Sequence, residues 1–470
     1  MTFDLPATVR KEMWDYLIKE LEIFYDNPRN RKVSPTLNVR EIKDYINPLI
    51  ESEELKDAIN HILIGLEKYT VHTSHPSYFG LFNPRANFPS ILADTITAAF
   101  NPQLAAWSHA PFAIEVEAKL IKRFAEKFGY ANNESDGVFT TGGAEANLTA
   151  LLSALNNKYP NYTTDGIRVL KNRPCVYCSS ESHHSIIKAV SVAGLGINSV
   201  RKIPQNDNFQ IQLQELENLI KSDMQAGFEP LMLIVTLGTT GAGIIEPVKE
   251  CSVIAKQYKM WLHADAAYGG GAILSEEHKY LLSGIELADS ITFDAHKWMS
   301  VSMSASIFLT KHKEVLNQTF RITADYMPKE AGSLDVTDPF THSIQWSRRF
   351  IGLKVYLSLL MFGWKGYEEI INHHFLMGQL LKKKLKENDW IIFNETHLPI
   401  ICFGKKYFIN DEGIATKICN ETISSGKAWL SVYNLNNINA LRVCITNYLT
   451  NENDLDSLIM LLNSVESNQL

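Results

Sequence analysis

The sequence predicts an α/β fold organised around a mainly parallel sheet, and three observations carry that expectation. Between residues 137 and 309, short apolar runs alternate with helical patterns, as in strands joined by crossover helices. The runs Leu231-Met232-Leu233-Ile234-Val235 and Ile291-Thr292-Phe293 are continuous rather than alternating, which suits strands covered on both faces. A chain of 470 residues, 45% hydrophobic and 21% charged, has material for a large core and allows two or three domains.

The elements follow in order. From residue 7, apolar side chains recur at helical spacing, with Val9, Met13, Trp14, Leu17, Leu21 and Phe24 on one face. Further helices are expected at 39–46, stopped by Pro48, and at 55–70. Together they read as a helical arm of the kind that packs on a partner subunit. The aromatic stretch at 74–80, punctuated by Gly and Pro, reads as a loop, and helices are expected at 88–100 and 112–128. Strands at 137–140, 175–179, 231–237, 261–264, 290–293 and 306–309 then alternate with helices at 144–156, 185–192 and 247–258. Residues 321–342 show little periodicity and contain Pro328, Gly332 and Pro339; a loop of that length in a compact domain is functional or disordered. Helices at 347–362 and 367–385, strand-like pieces at 391, 399–403 and 440–445, and a last helix from 453 complete the chain.

Composition excludes several function classes. The formal net charge of -7 is mild and no basic stripe stands out, so nucleic acid is not an expected partner. No apolar run reaches the length of a membrane span, and the first residues lack a basic stretch followed by an apolar one, so a cytoplasmic protein is expected. Six cysteines in so long a chain do not form a disulfide framework. Cys175-Val176-Tyr177-Cys178 has CxxC spacing, but no second ligand pair accompanies it; it reads as a buried strand, and no metal is expected. The sequon Asn147-Leu148-Thr149 carries no weight in a chain without a secretory signal.

Four features fall at strand ends, where ligands collect in open α/β sheets. Thr140-Thr141-Gly142-Gly143-Ala144-Glu145-Ala146-Asn147 joins a strand to a helix, so its small residues let backbone N–H groups meet an anion at the helix N-terminus. His183-His184-Ser185 offers an imidazole able to stack on a planar ring or take a proton. Asp265 ends the run Trp261-Leu262-His263-Ala264, poised to pair with a buried cation. Lys297, in Asp294-Ala295-His296-Lys297-Trp298, follows an apolar strand; burial would lower its pKa and free its amine to form a Schiff base. Taken singly, these are accounted for by a tight turn, a capping histidine, an N-cap aspartate and a surface lysine. In combination they describe a pocket for pyridoxal phosphate.

On these residues the chain resembles the group II pyridoxal-phosphate-dependent amino acid decarboxylases, which include aromatic-L-amino-acid and glutamate decarboxylases. The stretches that carry the resemblance are His75-Pro76, Gly142-Gly143-Ala144-Glu145, His184-Ser185, Thr236-Leu237-Gly238-Thr239-Thr240, His263-Ala264-Asp265-Ala266-Ala267-Tyr268, Asp294-Ala295-His296-Lys297-Trp298 and Ser347-Arg348-Arg349-Phe350. The resemblance implies the fold type I, aspartate-aminotransferase-like architecture. A dimer-forming arm would occupy 1–75, a large cofactor domain 76–365 and a small C-terminal domain 366–470.

It also implies roles. Lys297 would hold the cofactor covalently, Asp265 would pair with its ring nitrogen, and His184 would stack on the ring. Thr240 and Ala267 would lie against the ring, and Gly143 and Ala144, with Asp294 or His296, would contact the phosphate. Tyr326, on the 321–342 loop, would protonate the carbanion left by carbon dioxide. Phe79, Phe82, Arg85 and Met303 would line the substrate pocket; the two Phe residues suit an aromatic substrate, whereas Arg85 could pair with an acidic one. The expectation is decarboxylation of an L-amino acid, aromatic before acidic, by a homodimer with shared sites. Another enzyme of the same fold, such as an aminotransferase, and a non-catalytic cofactor-binding homologue are the competing readings.

Overall fold

The computed structural model describes residues 3–46, 54–82, 84–131, 134–322, 334, 336–409, 411 and 413–469. Tyr326 lies outside the described residues, as does Asn83. The chain divides into two compact units, one of residues 86–378 and 394–401, the other of residues 1–85, 379–393 and 402–470. Residues 1–75 thus fall in the same unit as the C-terminal strands, and residues 366–378 in the larger one.

The larger unit holds a seven-stranded sheet. Its strands are β1 (Asp136–Thr140), β2 (Arg173–Ser179), β3 (Val200–Ile203), β4 (Phe228–Thr236), β5 (Trp261–Asp265), β6 (Ser290–Asp294) and β7 (Ser306–Thr310). Their order is β1-β7-β6-β5-β4-β2-β3. The β3–β2, β2–β4, β4–β5 and β5–β6 pairs are parallel, and β7 runs antiparallel to both β6 and β1. The sheet is therefore mainly parallel, as the alternation of elements predicts. β3 is absent from that expectation because its four residues are mostly half-exposed and leave no apolar run.

The apolar runs are continuous because both faces of the central strands are covered. Val176, Cys178, Met232 and Ile234 pack with Ala146, Ala150, Leu151 and Ala154 of the Gly143–Lys158 helix and with Ile186 and Val190 of the Ser185–Val192 helix. Tyr177, Leu233 and Val235 point to the other face by the period of two and are equally buried. Register brings the strand ends level, with Thr236 opposite Asp265 and Asp265 opposite Thr292. Behind them the glycine run at 269–271 allows close approach: a Cβ on Gly269 would stand 2.2 Å from the Leu237 carbonyl oxygen, and one on Gly271 would stand 2.4 Å from Trp298.

The smaller unit contains β8 (Ile391–Ile392), most of β9 (Ile400–Gly404), β10 (Ser431–Leu435) and β11 (Ile438–Cys444), ordered β10-β11-β9-β8. The N-terminal residues are tied to the segment before β10 and to the end of β11 by main-chain bonds: Val33 N–H to Gly426 O at 2.7 Å, Phe79 N–H to Trp429 O at 2.8 Å and Cys444 N–H to Phe79 O at 2.9 Å. An Asn451/Asp454 capping box opens the last helix, Glu452–Ser467, and Arg29 reaches Asp454 at 2.9 Å. The two helices expected at 347–362 and 367–385 form one stretch, Gly352–Glu387, broken at Gly363. No helix among the described residues is long and apolar enough to cross a membrane.

Candidate active site

The carboxyl ends of β5 and β6, the start of the Gly143–Lys158 helix and the turn before the Ser185–Val192 helix bring the chemistry together. Asp265, last residue of β5, is 5% exposed. Its Oδ2 accepts from Asn147 Nδ2 at 3.0 Å and its Oδ1 from the Ala267 N–H at 3.2 Å. Asp294 ends β6, buried, with Oδ2 3.0 Å from Lys297 Nζ and Oδ1 accepting from the Ser306 hydroxyl. The same carboxylate lies against Gly143, where a Cβ would come within 3.1 Å of Oδ2. His296 is buried, its Nε2 3.8 Å from Asp294 Oδ2 and its Nδ1 2.9 Å from Ala305 O; burial lowers its pKa below the ordinary histidine value.

Of the two adjacent histidines, His183 is the one wired into this cluster. Its Nδ1 meets Ser185 Oγ at 2.9 Å and accepts from the Ser185 N–H at 3.2 Å. Desolvation lowers its pKa; the charges of Asp265 and Asp294 pull it up, and those of Lys297 and His184 push it down. His184 occupies the N-cap of the next helix, and both imidazoles are exposed. The turn after β2 brings His183 within the influence of Asp265, Asp294 and Lys297.

Other expected residues are placed as follows. Thr240 and Ala267 are half-buried in the turns that follow β4 and β5, and Ala267 O accepts from the Asp294 N–H at 3.2 Å. The Gly143–Lys158 helix begins at Gly142, which has no side chain with which to cap the first-turn N–H groups. Met303 is exposed and lines a cavity of about 770 Å³ with Thr141, Glu145, Arg349 and Lys354. In the smaller unit, Phe79 and Phe82 are buried. Arg85 is 5% exposed, with its guanidinium stacked 3.7 Å from the centre of the Tyr25 ring and one nitrogen donating to Tyr25 O at 2.5 Å. All six cysteines are free and buried, and burial pushes Cys178 up to about 12.

Residues 43–406 match the model of the pyridoxal-dependent decarboxylase conserved domain. The chain belongs to the pyridoxal-dependent decarboxylase family. Its cofactor is pyridoxal phosphate, and its reaction class is amino acid decarboxylation. An aromatic-L-amino-acid decarboxylase of Bacillus atrophaeus is 29% identical over 399 residues, 83% of this chain and 81% of that protein. A structure of Oryza sativa TDC with PLP and tryptamine superposes with a TM-score of 0.93 at 21% identity, covering 100% of both chains. Mouse CSAD superposes with a TM-score of 0.89 at 24% identity, covering 98% of this chain and 99% of that one. These structures share the fold.

The decarboxylase site fits the cofactor on its own geometry. An uncapped helix start suits the phosphate, a buried carboxylate fed by two donors suits a ring cation, and a lysine at a strand end suits the aldehyde. Sequence reasoning offered His183 in the turn after β2 without choosing it, and gave no role to Asn147, Ser185, His263 or Thr292, which lie behind Asp265 in a buried network. Asn147 stands one turn into the helix that starts at the glycine pair. That position, facing a strand-end acid, was the available signal.

Proposed function

We propose that this decarboxylase converts an aromatic L-amino acid to its primary amine and carbon dioxide. The observation that carries the reading is the convergence of Lys297, Asp265 and His183, with His183 feeling the charge of both other groups. When bound, pyridoxal phosphate supplies the electron sink for the bond that releases carbon dioxide. Lys297 is assigned its covalent attachment, and Asp265 the ring nitrogen. His183 takes the face of the ring, with Thr240 and Ala267 beside it. Gly143 and Ala144 offer N–H groups to the phosphate, and His296 completes that end. Asp294, a carboxylate, holds Lys297 and Ser306 rather than the phosphate. Tyr326 is assigned, by resemblance, the proton returned to Cα.

The aromatic choice is supported by Arg85. Its guanidinium is committed to the ring and carbonyl of Tyr25, so the cation that could have matched an acidic side chain is already engaged. The Bacillus atrophaeus relative, an aromatic-L-amino-acid decarboxylase, points the same way. An acidic substrate is the second reading: Arg349 and Lys354 line the cavity with Met303, where Asp94 of the same lining pairs with both.

The test is carbon dioxide release from a panel of L-amino acids by the reconstituted protein. Highest kcat/KM with an aromatic amino acid supports the proposal. A clear preference for an acidic one overturns the substrate assignment, and keto-acid exchange without carbon dioxide overturns the reaction. Amine release at the native rate by Tyr326→Phe would remove Tyr326 as the proton donor.

A further inference from the structure

Behind Asp265 lies a chain of hydrogen bonds whose direction can be worked out donor by donor. Trp261 Nε1 can only donate, and it meets Ser290 Oγ at 2.8 Å. Ser290 Oγ lies 2.8 Å from His263 Nδ1 and, as a hydroxyl, can accept from it or donate to it. The Asn147 amide decides between them: with Nδ2 turned towards Asp265, Oδ1 faces His263 Nε2 at 3.0 Å, which makes Nε2 the N–H and Nδ1 the acceptor of the Ser290 hydrogen, and Thr292 Oγ1, 3.3 Å from Nε2, donates to the same oxygen at 3.0 Å. With its oxygen doubly engaged, Asn147 turns Nδ2 the other way. One hydrogen goes to Asp265 Oδ2 at 3.0 Å and the other to Ser185 Oγ at 2.9 Å. Ser185, now an acceptor, gives its hydrogen to His183 Nδ1.

The opposite arrangement is disfavoured independently. Flipping the Asn147 amide would set its carbonyl oxygen against the Asp265 carboxylate and leave two buried donors facing each other at His263. A doubly protonated His263 could not accept from Ser290, and burial lowers its pKa to about 4. Asn147 and His263 are both buried, and every hydrogen-bonding capacity of the amide is used.

We propose that Asn147 is a positioning residue: its amide, oriented by His263 and Thr292, donates to Asp265 Oδ2 and, through Ser185, keeps His183 a neutral imidazole. This rests on the functional reading above, in which Asp265 faces a ring cation and His183 the ring. There a neutral imidazole matters, because a cationic one would repel the protonated ring that Asp265 holds. The charged groups facing His183 are Asp265 of β5, Asp294 of β6, Lys297 and the neighbouring His184.

The experiment follows the His183 ring by NMR pH titration in the protein without added cofactor, and in parallel measures affinity for pyridoxal phosphate. Asn147→Leu keeps the volume and removes both donors. His183 is expected to titrate about one unit higher, a tenfold change in its protonation equilibrium, and cofactor affinity to fall about tenfold. His263→Leu is expected to follow Asn147→Leu, whereas His263→Gln, whose amide nitrogen reaches the place of Nε2, is expected to restore both values. If Asn147→Leu and His263→Leu leave the His183 titration at the native pH, the proposal is wrong. It is also wrong if His263→Gln is as impaired as His263→Leu, since that outcome means packing alone. Should Asn147→Leu not fold, the two His263 variants decide. Failure of the native protein to take up pyridoxal phosphate on Lys297 overturns the functional reading instead, and the cofactor-free His183 titration still judges Asn147.

Discussion

At the scale of single residues, charge and burial decide roles that residue type leaves open. Arg85 shows this: an arginine beside two phenylalanines suggests an acidic ligand, but its guanidinium is buried on Tyr25. Arg85→Met is expected to lower stability by about 1–2 kcal/mol, the value of a desolvated cation–π contact with its hydrogen bond. The ratio of aromatic to acidic turnover is expected not to change. Denaturant titration and the substrate panel check this together; loss confined to acidic substrates would make Arg85 a substrate ligand. His374 yields a pH prediction. It is fully buried with neither ring nitrogen bonded to protein, and burial lowers its pKa from 6.5 to about 3. The folded state therefore binds fewer protons than the unfolded one between those values, so stability is intact above pH 6.5 and falls as pH drops towards 3. His374→Leu removes that term, so its melting temperature should decline less between pH 6.5 and 4.5 than the native protein's. A parallel decline in both proteins would remove His374 from the account.

At the scale of elements, buried polar ties hold the framework that carries the site. Arg348, just before the Gly352–Glu387 helix, pairs with Glu117 of the Pro111–Lys127 helix at 3.0 Å and donates to Phe139 O of β1 at 2.8 Å. Both side chains are almost fully buried, and Glu117 Oε1 also accepts from the Gly352 N–H at 2.9 Å. Glu117→Gln keeps the shape but leaves Arg348 as an uncompensated cation, which costs about 3–5 kcal/mol. The midpoint of urea unfolding should fall accordingly, and an unchanged midpoint would show that the pair is not a net tie. This pairing also explains a boundary that sequence reading misplaced. A helix was expected from 347, but the segment before Gly352 is kept out of the helix by distant partners: Arg348 N–H bonds Gln103 Oε1 at 3.1 Å, and Arg348 O accepts from the Leu104 N–H at 3.2 Å. Such long-range partners leave no trace in local periodicity. The strands with two covered faces were legible because burial on both sides writes itself into consecutive apolar residues. β3 and β10 were not, being short and half-exposed. Within the site, Lys297 and Asp265 were legible because an ionisable residue closing an apolar run is conspicuous. Asn147 was read as a sequon and as the end of the stretch that opens at the glycine pair, without a role of its own, since a neutral amide inside a helix has no distinctive pattern until the strand opposite it is known.

At the scale of the whole molecule, the open question is how the exposed apolar side chains of the N-terminal helices are covered. Trp14, Ile18 and Ile23 of the Ala7–Asp26 helix are exposed, as are Ile62, Ile64 and Leu66 of the Leu55–Tyr69 helix. Phe88, Leu92 and Ile96 of the Phe88–Phe100 helix and the following Phe100 and Phe112 add to the list. Soluble monomers rarely leave so many large apolar groups in water. A homodimer that buries them is the expectation to test, and it would make stability depend on protein concentration. Light scattering on the native protein should give the mass of two chains. A charge introduced on each helix, as Ile18→Glu with Ile62→Glu, should shift the mass towards one chain and lower carbon dioxide release in proportion to the monomer formed. Because both positions are exposed in the single chain, the variant's helix content should not change, so lost assembly can be told from lost folding. A native protein that stays a single chain at high concentration would reject the dimer, and a monomeric variant with full turnover would show that each site is complete within its own chain.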